Sequence, residues 1–131
     1  METQKDRREF FRIHFSTPLR FKSYSPQESR GGEEHKGTSQ NISQSGILFH
    51  TKNEPPQLSS ILWLDLDFRT LKICEEIENR ALIYNNGVLG RVVRVEEAPA
   101  DNAFDIGVCF LTRDQKNSRE VQAILSEIAG D

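Results

Sequence analysis

The sequence is short of the features that mark secreted, membrane-spanning and nucleic-acid-coating proteins. It holds two cysteines, Cys74 and Cys109, in 131 residues. Neither sits in a CxxC pair or a His/Cys cluster, so no structural zinc site is readable. A chain of this length can bury a core without disulfides or metals. Both cysteines are read as reduced thiols of a cytosolic protein, with Cys109 as a small apolar core side chain. Apolar runs fall far below the roughly 20 residues a membrane helix needs. Met1 to Asp6 carry no apolar segment of the signal-peptide kind. A cytoplasmic protein without direct membrane insertion is therefore expected. An excess of positive charge is also lacking: the formal net charge is −3. That argues against nucleic acid as a partner, because a nucleic-acid binder needs a broad basic face. There is no nucleophile–base pair and no Gly-rich nucleotide loop opening a helix. Neither an enzyme nor a catalytic residue is expected, and no metal ligands or cofactor.

What the chain does have is a folded-domain composition, 36% hydrophobic and 28% charged. Three of its 17 Lys and Arg residues cluster in one short stretch, Arg7-Arg8-Glu9-Phe10-Phe11-Arg12. Residues 1–6 are expected to form a flexible N-terminal tail, and residues 7–131 a single domain. Phe11, Ile13 and Phe15 alternate with polar residues, the mark of a strand with one apolar face. Pro18 interrupts that strand as an edge or bulge, and Leu19 and Phe21 resume it. Tyr24 to Gly37 reads as a loop rich in turn formers. A second strand is expected around 36–42. It leads through Asn41-Ile42-Ser43-Gln44-Ser45-Gly46 into a third, Ile47 to Thr51.

Leu62, Leu64, Leu66 and Phe68 alternate with Trp63, Asp65 and Asp67, a strand with Trp63 and the aspartates facing outward. Residues 70–84 fit a helical period and a two-residue period equally. The strand reading is taken because Arg80 to Tyr84 runs into Asn85-Asn86-Gly87, a strong hairpin signal. Val88 to Val95 returns, a loop spans 96–102, and Ala103 to Phe110 is the last strand. Gly90 and Gly107 mark bends or close backbone approach. Val121, Ile124, Leu125 and Ile128 then make one apolar stripe on a helix spanning 114–129. Thr112-x-x-Gln115 reads as its capping box.

At this point a resemblance can be stated. Arg8-Glu9-Phe10-Phe11-Arg12 resembles the RxxxR motif of PilZ domains, and Asn41-Ile42-Ser43-Gln44-Ser45-Gly46 their (D/N)xSxxG motif. Either is weak alone; both in order, on strand-flanking segments, are specific. The resemblance implies an all-β fold, a six-stranded antiparallel β-barrel with a C-terminal α-helix. It also implies a receptor module for the second messenger cyclic di-GMP. Arg8 and Arg12 would grip phosphate or a guanine edge, because guanidinium is a planar charged fork. Asn41 and Ser43 would hydrogen-bond the ligand or nearby backbone, and Gly46 would permit a turn and close approach. Arg7 adds a third cation, enough for a stacked pair of ligands. Phe10 and Phe11 are read as core plugs. The response would pass to a separate, unidentified protein effector in motility, exopolysaccharide or biofilm control. The alternative is a ligand-independent adaptor acting through protein contacts, with exposed Trp63 as a contact.

Overall fold

Alternating apolar residues give strands, and in a computed structural model these strands close on themselves. The structure describes residues 13–14, 17–24, 33–52, 54–65, 77 and 79–130. In chain order the strands are β1 (Ile13–His14), β2 (Pro18–Tyr24), β3 (Glu34–Ser43), β4 (Gly46–Thr51), β5 (Ile61–Asp65), β6 (Ile83–Tyr84), β7 (Gly87–Ala98) and β8 (Ala103–Phe110). One helix, α1 (Arg119–Gly130), follows. The sheet runs β3-β2-β5-β7-β8-β4, and β4 pairs back onto β3. All these pairings are antiparallel, so the six strands form a closed barrel and leave no open edge between first and last. The short β1 extends the β2 side along β3, with Ile13 opposite Ile42 and His14 opposite Asn41. The register then changes by one residue before Pro18 meets Thr38. Proline's missing N–H suits that break.

Inward residues fill the barrel. Leu19 and Phe21 of β2, Phe49 of β4, Leu62 and Leu64 of β5, Val92 of β7 and Ile106 of β8 belong to one buried cluster. Phe21 and Phe49 are its aromatic pair, with ring centroids 4.9 Å apart and planes inclined at 51°. A second cluster lies outside the barrel wall. Val121, Ile124, Leu125 and Ile128 of α1 cover Tyr24, Ile61, Leu82, Leu89 and Leu111. Burying each such aliphatic side chain stabilises by about 1.5–3 kcal/mol against its exposed state.

This second core corrects the expectation for Trp63. Its ring packs against the helix-side cluster rather than standing exposed, and Nε1 donates to the Tyr84 carbonyl at 2.8 Å. A strand between two cores has both faces covered, which strict alternation does not reveal. Asp65 is bound by Arg20, which also pairs with Glu34 at 3.2 Å.

Other boundaries shift as well. β3 starts at Glu34, within the stretch read as loop. Among the described residues of 70–84, Ile77 and residues 79–80 are helical, and the strand reading holds for Ile83–Tyr84. The hairpin signal is sound: Asn85 and Asn86 have φ of 56° and 66°, as a type I′ turn requires. β7 continues to Ala98 through half of the expected 96–102 loop. The Thr112–Gln115 capping box heads a 3-10 turn, Arg113–Asn117, and Ser118 Oγ instead accepts from Val121 N at the start of α1. Leu66, Asp67, Phe68 and Cys74 lie outside the described residues, as do Phe10, Phe11 and Phe15.

Arg91 of β7 ties the wall to the helix. Its two terminal nitrogens reach Glu120 at 3.2 and 2.8 Å, and Nη1 also donates to the Ser59 carbonyl at 2.9 Å. The hydrogen bond from Arg91 is the main cause that lowers the Glu120 pKa. A carboxylate with a depressed folded pKa stabilises above its unfolded pKa and loses that contribution as pH falls through the folded one. The pair is part-exposed, so Glu120→Gln should cost no more than about 1 kcal/mol at neutral pH. Urea melts across pH should show that cost shrinking toward zero in acid, below the ordinary carboxylate range.

Candidate functional site

The turn joining β3 to β4 is built from the second motif. Ser43 pairs with Gly46 across it, leaving Gln44 and Ser45 at the tip. Ser45 N donates to Ser43 Oγ at 3.3 Å, a local side-chain turn that fits serine's short reach. The Ser45 carbonyl accepts from Phe110 N at 2.9 Å, which fastens the tip to the end of β8. Gly46 lies so close to β8 that a Cβ there would stand 2.3 Å from the Val108 carbonyl oxygen. Its lack of a side chain is therefore needed for the barrel to close, whatever it does for a ligand.

Over this turn, on the outer wall, is a cleft of about 200 Å³. Asn41, Ser43, Ser45 and Gly46 form one side, and Val93, Arg94, Gly107 and Cys109 the other, with Ile47, Leu48 and Val108 completing it. A site enclosing a whole drug-sized ligand occupies about 300–1,000 Å³. The cleft is thus smaller than a site that encloses a whole ligand of that size, and a larger ligand would extend beyond it. Arg94 supplies its positive charge. The Arg94 Nε donates to Glu96 at 2.9 Å, and that bond is the first cause raising the arginine's pKa.

Three of the six expected site residues, Asn41, Ser43 and Gly46, come together here. Arg7, Arg8 and Arg12 lie outside the described residues. β1 begins one residue after Arg12 and pairs with Asn41 and Ile42, next to the cleft. Cys109 is corrected: it is exposed and lines the cleft rather than filling the core. Alternation already carries the reason, since Ile106, Val108 and Phe110 take the inward face and leave residue 109 outside. Arg94 was missed. The signal for it is Val92-Val93-Arg94-Val95, where apolar residues break the two-residue period. Among the described residues there is no group of three or more His, Cys, Asp or Glu able to hold a metal. No described helix is long and apolar enough to cross a membrane.

A six-stranded closed barrel, an outer cleft walled by an NxSxxG turn and a helix packed on the wall define a small binding module of a known kind. The PilZ domain family model matches residues 6–127, and the chain belongs to that family. No curated protein matches it. Among solved structures it is similar to the PilZ domain with c-di-GMP of YcgR from Escherichia coli, with 12% identity and a TM-score of 0.46. That likeness covers 94% of this chain and 88% of the other.

Proposed function

We propose that this PilZ domain is a cytoplasmic cyclic di-GMP receptor module and not an enzyme. The observation that carries the reading is the cleft. The (D/N)xSxxG residues Asn41, Ser43 and Gly46 line it, with Arg94 on the opposite wall. The chain before Ile13 carries the RxxxR pair, and β1 anchors that chain beside Asn41. Five residues of chain reach at most about 17 Å, so Arg8 and Arg12 are within range of a ligand seated there. A ligand that extends beyond the cleft needs further groups to hold the rest of it. Two arginines on the arm supply charge and planar forks for two phosphates and a second guanine. Ordering the arm over the ligand alters the surface next to β1 and β3, which a separate effector in motility, exopolysaccharide or biofilm control would sense.

The test is calorimetric titration of the chain with cyclic di-GMP. Saturable binding at micromolar ligand is expected. A ratio of two ligands per chain would assign Arg7 to a stacked pair, and a ratio of one would remove that role. Absence of binding at micromolar ligand would refute the receptor reading and favour an adaptor that works through protein contacts.

A further inference from the structure

Arg94 reaches the cleft because the strand is irregular at one point. Val92 pairs with Val108 and Arg94 with Gly107, so Val93 is an extra residue in β7. Val92 is buried in the barrel and Val95 packs against the same core. Without the extra residue, the two-residue period of a strand would turn Arg94 to the face of Val92, into the core. The bulge sends Arg94 outward and lets Val95 return inward, the kind of re-aiming for which bulges recur near binding sites.

Two further features hold the arginine there. Gly107 lies opposite it, and a Cβ on Gly107 would stand 3.1 Å from the Arg94 Cβ, so the missing side chain makes room for the arginine stem. Glu96 then accepts from Nε at 2.9 Å. Among the described residues Arg94 makes no hydrogen bond through its two terminal nitrogens. Arg94 lines the same cleft as Asn41 and Ser43, so those nitrogens can offer a paired N–H edge to a ligand there.

The surrounding charge selects what that edge can take. Glu96 lies directly on the guanidinium, and Asp105 is close enough to act on it electrostatically. A phosphate at Arg94 would approach beside the Glu96 carboxylate, and like charges at short range repel. A neutral base does not carry that cost. A paired N–H edge matches the two acceptors O6 and N7 of guanine, whereas adenine offers N7 beside a donor amino group. From this geometry we infer that Arg94 is a specificity residue that reads the O6/N7 edge of one guanine, leaving phosphate to the N-terminal arginines. Glu96 is its positioning residue. The inference rests on the receptor reading above and adds the residue that reads the base.

The experiment titrates wild type, Arg94→Ala and Glu96→Gln with cyclic di-GMP and with cyclic di-AMP. Saturable cyclic di-GMP binding by wild type is the condition for the receptor reading, and its absence is a failure of that reading alone. Given binding, wild type should prefer the guanine dinucleotide. Arg94→Ala should weaken cyclic di-GMP binding about ten- to hundredfold while changing cyclic di-AMP binding less than about threefold. Glu96→Gln keeps an acceptor for Nε and removes a negative charge, so it should retain the preference for guanine. The side chain of Arg94 is 62% exposed, so its removal leaves the core intact, and an unchanged melting temperature verifies this. Equal weakening toward both dinucleotides would make Arg94 a phosphate contact and overturn the inference. Unchanged affinity for both would place Arg94 outside the site and overturn it as well.

Discussion

Arg8→Ala and Arg12→Ala together are expected to lower cyclic di-GMP affinity by at least about a hundredfold. Each charge-assisted contact contributes about 1.5–3 kcal/mol, and every 1.4 kcal/mol is about tenfold. The two side chains would act on one ligand, so their effects need not add. The size of the loss is nevertheless large because little else near the cleft is positive. The chain carries a net charge of −3, and Arg94 is neutralised in part by Glu96. Thermal shift gives a second readout. At ligand a hundred times the wild-type Kd, binding stabilises by about 2.7 kcal/mol, and a hundredfold weaker variant gains only about 0.4 kcal/mol. Titration should further show wild-type affinity falling with added salt, since screening weakens exposed charge contacts. Affinity unchanged in the double variant would place the phosphate contacts elsewhere on the domain.

Phe49→Ala should be the most destabilising single change in the barrel. Phe49 is fully buried on β4, paired face-to-edge in part with Phe21 and flanked by strands β3 and β8. Truncating a buried phenylalanine costs about 3–5 kcal/mol, from lost transfer energy and the cavity left behind. In a domain of this size that is a fall in Tm of roughly 10–20 °C. Phe49→Leu fills most of the space and should cost less than half as much. Calorimetry or urea melts decide the matter. A loss below about 1 kcal/mol for Phe49→Ala would mean that the barrel interior collapses around the gap more readily than a closed sheet should.

The barrel variant and the arm variant also separate stability from recognition. Phe49→Ala removes core and leaves Asn41, Ser43 and Arg94 in place, so at temperatures where it is folded its ligand affinity should stay close to wild type. The arm variant should do the reverse.

Some of this protein is plain in its sequence because the physics is local. Alternation at Ile106, Val108 and Phe110 fixes a strand and its inner face. The Asn85-Asn86-Gly87 turn follows from the positive φ that both central positions of its hairpin must adopt. The stripe Val121, Ile124, Leu125 and Ile128 gives a one-faced helix. The motif Asn41 to Gly46 gives a turn, and its place beside a site follows from family resemblance.

The rest depends on which surfaces meet. Trp63 looks solvent-facing until α1 covers the outer wall and buries that face too. The start of β3 at Glu34 is set by its partner β2, since Lys22 pairs with Glu34 across an otherwise polar stretch. The extra residue at Val93 is fixed by the register against β8, a long-range pairing that no local pattern specifies alone. By itself the sequence determined most of the strands, the C-terminal helix and the two motifs, because period and turn chemistry are written residue by residue. The tertiary structure decided that the barrel closes through β3 and β4, that Cys109 and Arg94 share a cleft with Asn41 and Ser43, that Gly46 must be bare and that Gly107 sits tight against Arg94. Those depend on close approach between segments far apart in the chain, and only packing fixes that distance.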